Sequence, residues 1–242
     1  MKLRPLLGLA VACAFAGFVS AADNAPKKTP QTPKAPDPAL AQVADVPGLP
    51  RVLILGDSIS IGYTLPVRTR LTGVANVHRP AENCSESAKG VRTLDKWLGT
   101  GKWDVIHFNF GLHDVKYLDE AGKYVTPDKG KQVASVADYE KNLRAIVARL
   151  KQTGAKLIFA TTTPVPAGSQ GRVEHDELRY NETAIRVMKE LGVAVDDLHA
   201  LATAQQAKIQ LPHNVHFTPD GYAALADQVV ATIRPALPPP TK

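Results

Sequence analysis

Apolar positions along the chain recur with two different periods. Arg51-Val52-Leu53-Ile54-Leu55 is a near-continuous apolar run that stops at Gly56-Asp57-Ser58, and it predicts a strand. Weaker runs predict further strands over 73–78, 103–110, 156–162 and 193–195. Between them the apolar residues fall at helical spacing. Tyr139, Leu143, Ile146, Val147 and Leu150 share one helical face, with Ser135 and Asp138 placed as a cap and Gly154 just past the end. Val91, Leu94, Trp97 and Leu98 form a shorter stripe, and Leu178, Ile185, Met188 and Leu191 line another helix. Thr218 precedes Pro219 as a cap, followed by Tyr222, Leu225, Val229 and Ile233. Strands apolar on both faces that alternate with amphipathic helices predict an α/β domain. Its sheet is doubly wound, parallel and five-stranded, with helices on both faces. In such sheets ligands bind outside the carboxyl ends of the strands, which directs attention to those loops.

The two ends of the chain read differently. Lys2 and Arg4 precede an uncharged stretch from Leu6 to Val19, followed by small residues at Ser20, Ala21 and Ala22. This is the layout of a signal peptide over 1–22, and the apolar run is shorter than the roughly 20 residues that span a bilayer. Residues 23–49, rich in Pro, Ala and Lys, are expected to be a flexible linker. The compact domain is then 50–236, and 237–242 is a Pro-rich tail. Cleavage would remove Cys13, leaving Cys84 alone and excluding an intramolecular disulfide. It would also remove Lys2 and Arg4, taking the formal charge of the 242-residue chain from +6 to +4. Several remaining cations, Lys27, Lys28 and Lys34, lie in the linker, so the charge does not point to a nucleic-acid partner. The expectation is an exported protein, secreted or periplasmic, with no membrane partner once the signal is removed.

Ser58 follows the first strand directly, at the start of a helix, where free N–H groups can stabilise negative charge. By itself such a serine can equally be a simple helix cap. His216, on the loop entering the last helix, can return to the same sheet edge as a general base for the serine hydroxyl. Asp57 is expected to brace the turn through backbone hydrogen bonds. Cys84 reads as a small packed thiol.

Gly56-Asp57-Ser58-Ile59-Ser60 near the start of the domain, with a histidine before the last helix, resembles the SGNH (GDSL) hydrolase superfamily. Thr161-Thr162-Thr163-Pro164-Val165-Pro166 adds to the likeness, which covers 51–233. The resemblance implies a flavodoxin-like sheet, no metal or organic cofactor, and ester hydrolysis through an acyl-serine. Ser58 would be the nucleophile, and its own N–H would form part of the oxyanion hole.

Three positions depart from the family pattern. Gly111-Leu112-His113-Asp114 stands where the family has Gly-x-Asn-Asp, so an imidazole N–H of His113 would replace the asparagine donor, in one tautomer only. The second block offers Ser85 or Gly90 for the backbone oxyanion donor, with Ser85 preferred, and Asn83 for a substrate contact or a loop brace. The aspartate that the family places three residues before the histidine is replaced by His213. Then a backbone carbonyl could orient His216, giving a Ser58–His216 dyad, or Asp196 or Asp197 could approach from the fifth strand. His213 is a candidate substrate contact. Lys116 is either a contact for an anionic or sugar substrate or a solvated loop lysine, and the polar insertion to about Gln132 would shape the pocket.

The sequence thus leads to an exported serine esterase acting on acyl, by expectation acetyl, esters of a carbohydrate or small molecule. A lysophospholipase or thioesterase of the same superfamily is the nearest chemical alternative. A non-catalytic glycan-binding relative is another reading. A zinc site drawn from His107, His113, His213 and His216 is a third, for which an H-x-x-H on a loop is a weak signal.

Overall fold

A computed structural model describes residues 36–239 together with Met1. The expected signal peptide, Cys13, the linker as far as residue 35 and the last three tail residues lie outside the described residues. Strands β1 (Arg51–Leu55), β2 (Asn76–His78) and β3 (Val105–Phe108) are followed by a short ribbon, β4 (Tyr117–Leu118) and β5 (Lys131–Gln132). Strands β6 (Lys156–Ala160) and β7 (Ala194–Asp196) complete the set. The main sheet has the order β2-β1-β3-β6-β7 with every pair parallel, as the patterning predicts. β4 and β5 pair antiparallel as a separate ribbon in the polar insertion.

The central strands are buried on both sides. Val52, Leu53, Ile54 and Leu55 of β1 and all of β3 are almost solvent-free, which is why they read as continuous apolar runs. The strand limits are tighter than the patterning suggested. Residues 73–75 belong to the turn after α1 (Ser58–Arg70), where Gly73 has a φ of +72°. β7 is an edge strand, with only Asp196 buried.

Helices α2 (Ser87–Leu98), α3 (Val136–Lys151) and α4 (Glu177–Glu190) pack in sequence with one another, while α1, α5 (Leu198–Ile209) and α6 (Pro219–Ile233) form a second group. The predicted caps are present. Ser135 Oγ accepts from Asp138 N–H, and Thr218 Oγ1 accepts from Gly221 N–H. Two expectations change. The buried face of α4 is Tyr180, Ala184, Val187 and Met188, whereas Leu178 and Ile185 are exposed; the core takes the tyrosine and the alanine in place of the larger aliphatics. Helix α5, not foreseen between β7 and the His216 loop, carries the chain back across the domain.

The stretch 36–49, expected to be flexible linker, is fastened to the domain. Asn76 accepts from Val46 N–H and donates to the Val46 and Leu49 carbonyls, and Arg68 donates to the carbonyls of Pro38, Ala39 and Ala41. Asp45 pairs with His78 and Arg51. Pro-rich chain can be held this way because its carbonyls remain free to accept, even where it has few N–H groups to donate.

Candidate active site

The loops after β1 and β3 meet where the strand order reverses, the place at which doubly wound sheets bind ligands. Asp57 caps α1, its Oδ1 accepting from Ile59 N–H at 2.9 Å, and its carbonyl accepts from Ser60 Oγ at 2.7 Å. This is the bracing expected of it. Burial pushes the Asp57 carboxyl above its ordinary range. The turn presents Ser58 at the first position of the helix, facing an open cleft of about 450 Å³.

His216 comes from the far end of the chain. Its loop is closed by Leu211 N–H to His216 O and by Thr218 N–H to Ile209 O. The buried Gln210 amide ties it to the carbonyls of Pro164 and Val215. His216 Nε2 lies 2.9 Å from Ser58 Oγ. On the other side of the ring, Nδ1 is 2.8 Å from Asn214 Oδ1, which also accepts from the His216 backbone N–H at 3.0 Å. The backbone N–H can only donate, so that atom is the amide oxygen, and Nδ1 facing it carries the proton. Nε2 is thereby left as an acceptor, the form a general base needs. Burial also lowers the His216 pKa below the ordinary histidine value, offset in part by the charge of Asp57.

An asparagine two residues before the histidine therefore takes the orienting position. Neither acid considered from sequence serves it. Asp196 is fully buried against His107, Gln228 and Thr232, and Asp197 caps α5 and accepts from Thr161 Oγ1. Asn214 lies one residue past the position at which the family pattern carries its aspartate, so that pattern does not point to it. The signal it carries, a side chain able to bond the backbone two residues ahead, is a local turn preference that any loop asparagine shares.

The oxyanion candidates divide. Ser58 stands at the first position of α1 and lines the cleft. Ser85 departs from expectation: its N–H is committed to Asn83 Oδ1 at 2.8 Å, in a turn that gives Ser85 a φ of +61°. Gly90 is no substitute, since its N–H bonds Glu86 O within α2. Asn83 both braces the loop and lines the cleft. With Oδ1 accepting, its Nδ2 amide hydrogens remain as donors. His113 also lines the cleft, with Nδ1 2.8 Å from Ser85 Oγ and 2.7 Å from Lys116 Nζ. Burial, then the charges of Lys116, Arg172, His216 and Lys89, push its pKa down to about 3, so the ring is neutral.

Lys116 is buried, contrary to a solvated loop lysine, and its ammonium is spent on His113 and the face of Tyr124, 5.2 Å from the ring centroid. His213 lies at the cleft with φ +55°, its Nδ1 2.9 Å from Ala167 O, so Nδ1 donates. Gly168, at φ +78°, permits this, since a Cβ there would sit 2.9 Å from His213 Nδ1. Tyr124 of the insertion and Arg172, whose Nε donates to Leu112 O, complete the rim and were not singled out from sequence.

The four histidines considered for zinc are dispersed into different partnerships. Among the described residues no group of three or more His, Cys, Asp or Glu side chains is arranged to hold a metal ion. Cys84 is buried and its thiol pushed up to about 11 by desolvation, as suits a packed, inert cysteine. No helix among the described residues is long and apolar enough to cross a membrane.

A flavodoxin-like sheet with a serine after β1 and a histidine before the last helix, 2.9 Å apart, defines an SGNH-type hydrolase domain. Residues 54–224 match the GDSL-like lipase/acylhydrolase family, and the chain belongs to that family of carboxylic ester hydrolases. A GDSL esterase/lipase of Arabidopsis thaliana is 29% identical over 138 residues, which are 49% of this chain and 56% of that relative; the match thus spans little more than half the relative's length. Two solved structures share the fold. The lipase/acylhydrolase from Enterococcus faecalis superposes with a TM-score of 0.64 at 19% identity, over 80% of this chain and all of the other. The acetylxylan esterase Axe2 from Geobacillus stearothermophilus does so with a TM-score of 0.60 at 18% identity, over 76% of this chain and 94% of its own.

Proposed function

We propose that the protein is an exported serine esterase that removes short acyl groups, acetyl above all, from a carbohydrate or small-molecule ester. The observation that carries this reading is the line Asn214–His216–Ser58, in which an oriented neutral imidazole accepts from the serine hydroxyl. His216 Nε2 takes the Ser58 proton as Oγ attacks the ester carbonyl, and the tetrahedral oxyanion is held by the Ser58 N–H, His113 and the Asn83 amide. The imidazolium returns its proton to the departing alcohol. Water, deprotonated by His216, then attacks the acyl-serine; the proton returns to Ser58 and the carboxylic acid leaves.

The polar cleft favours a short acyl group. Asn83, Gln170, Arg172 and the three histidines His113, His213 and His216 line it, and Val215 is the one aliphatic side chain among the described lining residues. A lysophospholipase would have to bury a long chain, worth about 0.8 kcal/mol per methylene only where apolar walls receive it. The carbohydrate assignment draws support from the acetylxylan esterases that share the fold, and export from the composition of residues 1–22.

Hydrolysis of p-nitrophenyl acetate, then of acetylated glycans, tests the reading. Ser58→Ala and His216→Ala are each expected to lower kcat at least about 10⁴-fold while the protein stays folded. Folded wild-type protein that binds glycans without turnover, with binding unchanged in Ser58→Ala, would replace the esterase by a binding module.

A further inference from the structure

The hydroxyl of Ser85 and the ammonium of Lys116 meet the same nitrogen of His113, and they constrain it differently. A serine hydroxyl can donate or accept, so the contact at 2.8 Å is compatible with a proton on either ring nitrogen. A lysine at neutral pH has three N–H donors and no acceptor. At 2.7 Å it is compatible only with an Nδ1 that accepts. A proton on Nδ1 would face an N–H of the ammonium, and a doubly protonated ring would add charge repulsion.

We propose that Lys116 is a positioning residue that fixes His113 as its Nε2–H tautomer, so that the Lys116–His113 pair does the work of the asparagine amide that this chain lacks. The inference rests on the esterase reading for its catalytic consequence but not for the tautomer itself. An asparagine amide always presents donors on one end. A neutral imidazole presents a donor at Nε2 only when Nδ1 has been forced to accept. His113 Nε2 makes no hydrogen bond to the described residues, and the residue lines the cleft beside Ser58. Lys116 is itself held in place: its carbonyl accepts from Val133 N–H, its ammonium lies over the Tyr124 ring, and among the described residues it has no carboxylate partner to draw it away.

Burial, first, and then the charges of Lys116, Arg172, His216 and Lys89 oppose the protonation of His113, holding its pKa down to about 3. The donor therefore stays neutral, and in one tautomer, at neutral pH. Both histidines thus have their tautomers set through Nδ1, in opposite senses: Asn214 makes His216 an acceptor at Nε2, and Lys116 makes His113 a donor there.

The first arm of the test needs neither a variant nor a substrate. Long-range ¹H–¹⁵N correlation spectra of histidine-labelled protein at neutral pH are expected to show His113 protonated at Nε2 and bare at Nδ1. A proton on Nδ1 would overturn the proposal. The second arm is a cycle of Lys116→Met, His113→Asn and the double variant on p-nitrophenyl acetate. Lys116→Met is expected to lower kcat by about 10- to 100-fold, with KM nearly unchanged, since a donor to the transition state is lost. In the His113→Asn background the same substitution should add little, because an amide has no tautomer to set. An equal loss in both backgrounds would make Lys116 merely structural and sink the idea. If the wild-type protein hydrolyses no ester, the functional reading fails, and the spectra alone decide the tautomer.

Discussion

An amide oxygen and a carboxylate both fix a histidine tautomer, but only the carboxylate stabilises the imidazolium that forms when serine gives up its proton. Asn214 therefore supplies orientation without charge. Replacing it with alanine frees the ring and should cost about 10- to 100-fold in kcat/KM, measured with p-nitrophenyl acetate. Asn214→Asp has the opposite character. A carboxylate beside Nδ1 favours the charged ring, so the His216 pKa, now below the ordinary value through burial, must rise. Activity requires the unprotonated base, so the acid limb of the kcat/KM profile should move to higher pH. The plateau should rise with it, because the imidazolium is formed in the transition state. A limb that stays in place would mean that His216 is not the titrating base. Ser58 and His216 were legible in the sequence because each adjoins an element boundary that patterning reveals. Asn214 was not, because its role depends on a loop geometry that brings Oδ1 to both a backbone and a ring N–H.

Elements announced themselves to the extent that their buried faces differ from their exposed ones. β1 matched its expected limits, since both of its faces are buried, and α3 and α6 carried both a cap and a stripe. Helix α5 had no such contrast. Its apolar and small residues are spread round the helix, interrupted by His199, Gln205, Gln206 and Lys208, and only Leu198, Ala202 and Ile209 are buried. Missing α5 hid the route that returns His216 to Ser58. The nucleophile helix shows another feature that patterning does not reveal, a close approach with α6 at Gly62. A Cβ there would lie 2.1 to 2.5 Å from the Tyr222 ring, and an aromatic ring cannot bend aside as a flexible side chain would. Gly62→Ala should therefore destabilise the protein, although alanine is the better helix former, by about 1–3 kcal/mol of overpacking. Urea unfolding would check the sign: a gain in stability would show that α1 and α6 separate freely at that point.

The whole molecule extends further toward the N-terminus than its composition implies. Pro- and Ala-rich chain lacks the apolar surface to fold by itself, which is why 36–49 read as linker; the domain instead supplies the partners. Asn76 is the clearest case. It is buried on the edge strand β2, a position that patterning assigns to packing, and it spends its side chain on three backbone groups of the segment, Val46 N–H and the carbonyls of Val46 and Leu49. Asn76→Ala leaves those groups without their partners and should cost about 1–3 kcal/mol, less where water can reach them. Asn76→Asp keeps the acceptor for Val46 N–H but sets an ionised oxygen against two carbonyls, so it should be at least as damaging at neutral pH. A protein beginning at residue 51 should be destabilised at least as much as Asn76→Ala, because it also gives up the pairing of Asp45 with His78 and the carbonyls that Arg68 bonds. Chemical denaturation of the three variants beside a protein beginning at residue 36 measures the segment's contribution. Equal midpoints for the proteins beginning at 36 and 51 would return 36–49 to the status of a tether. In that case the hydrogen bonds of Asn76 would contribute nothing beyond what water supplies to the same groups.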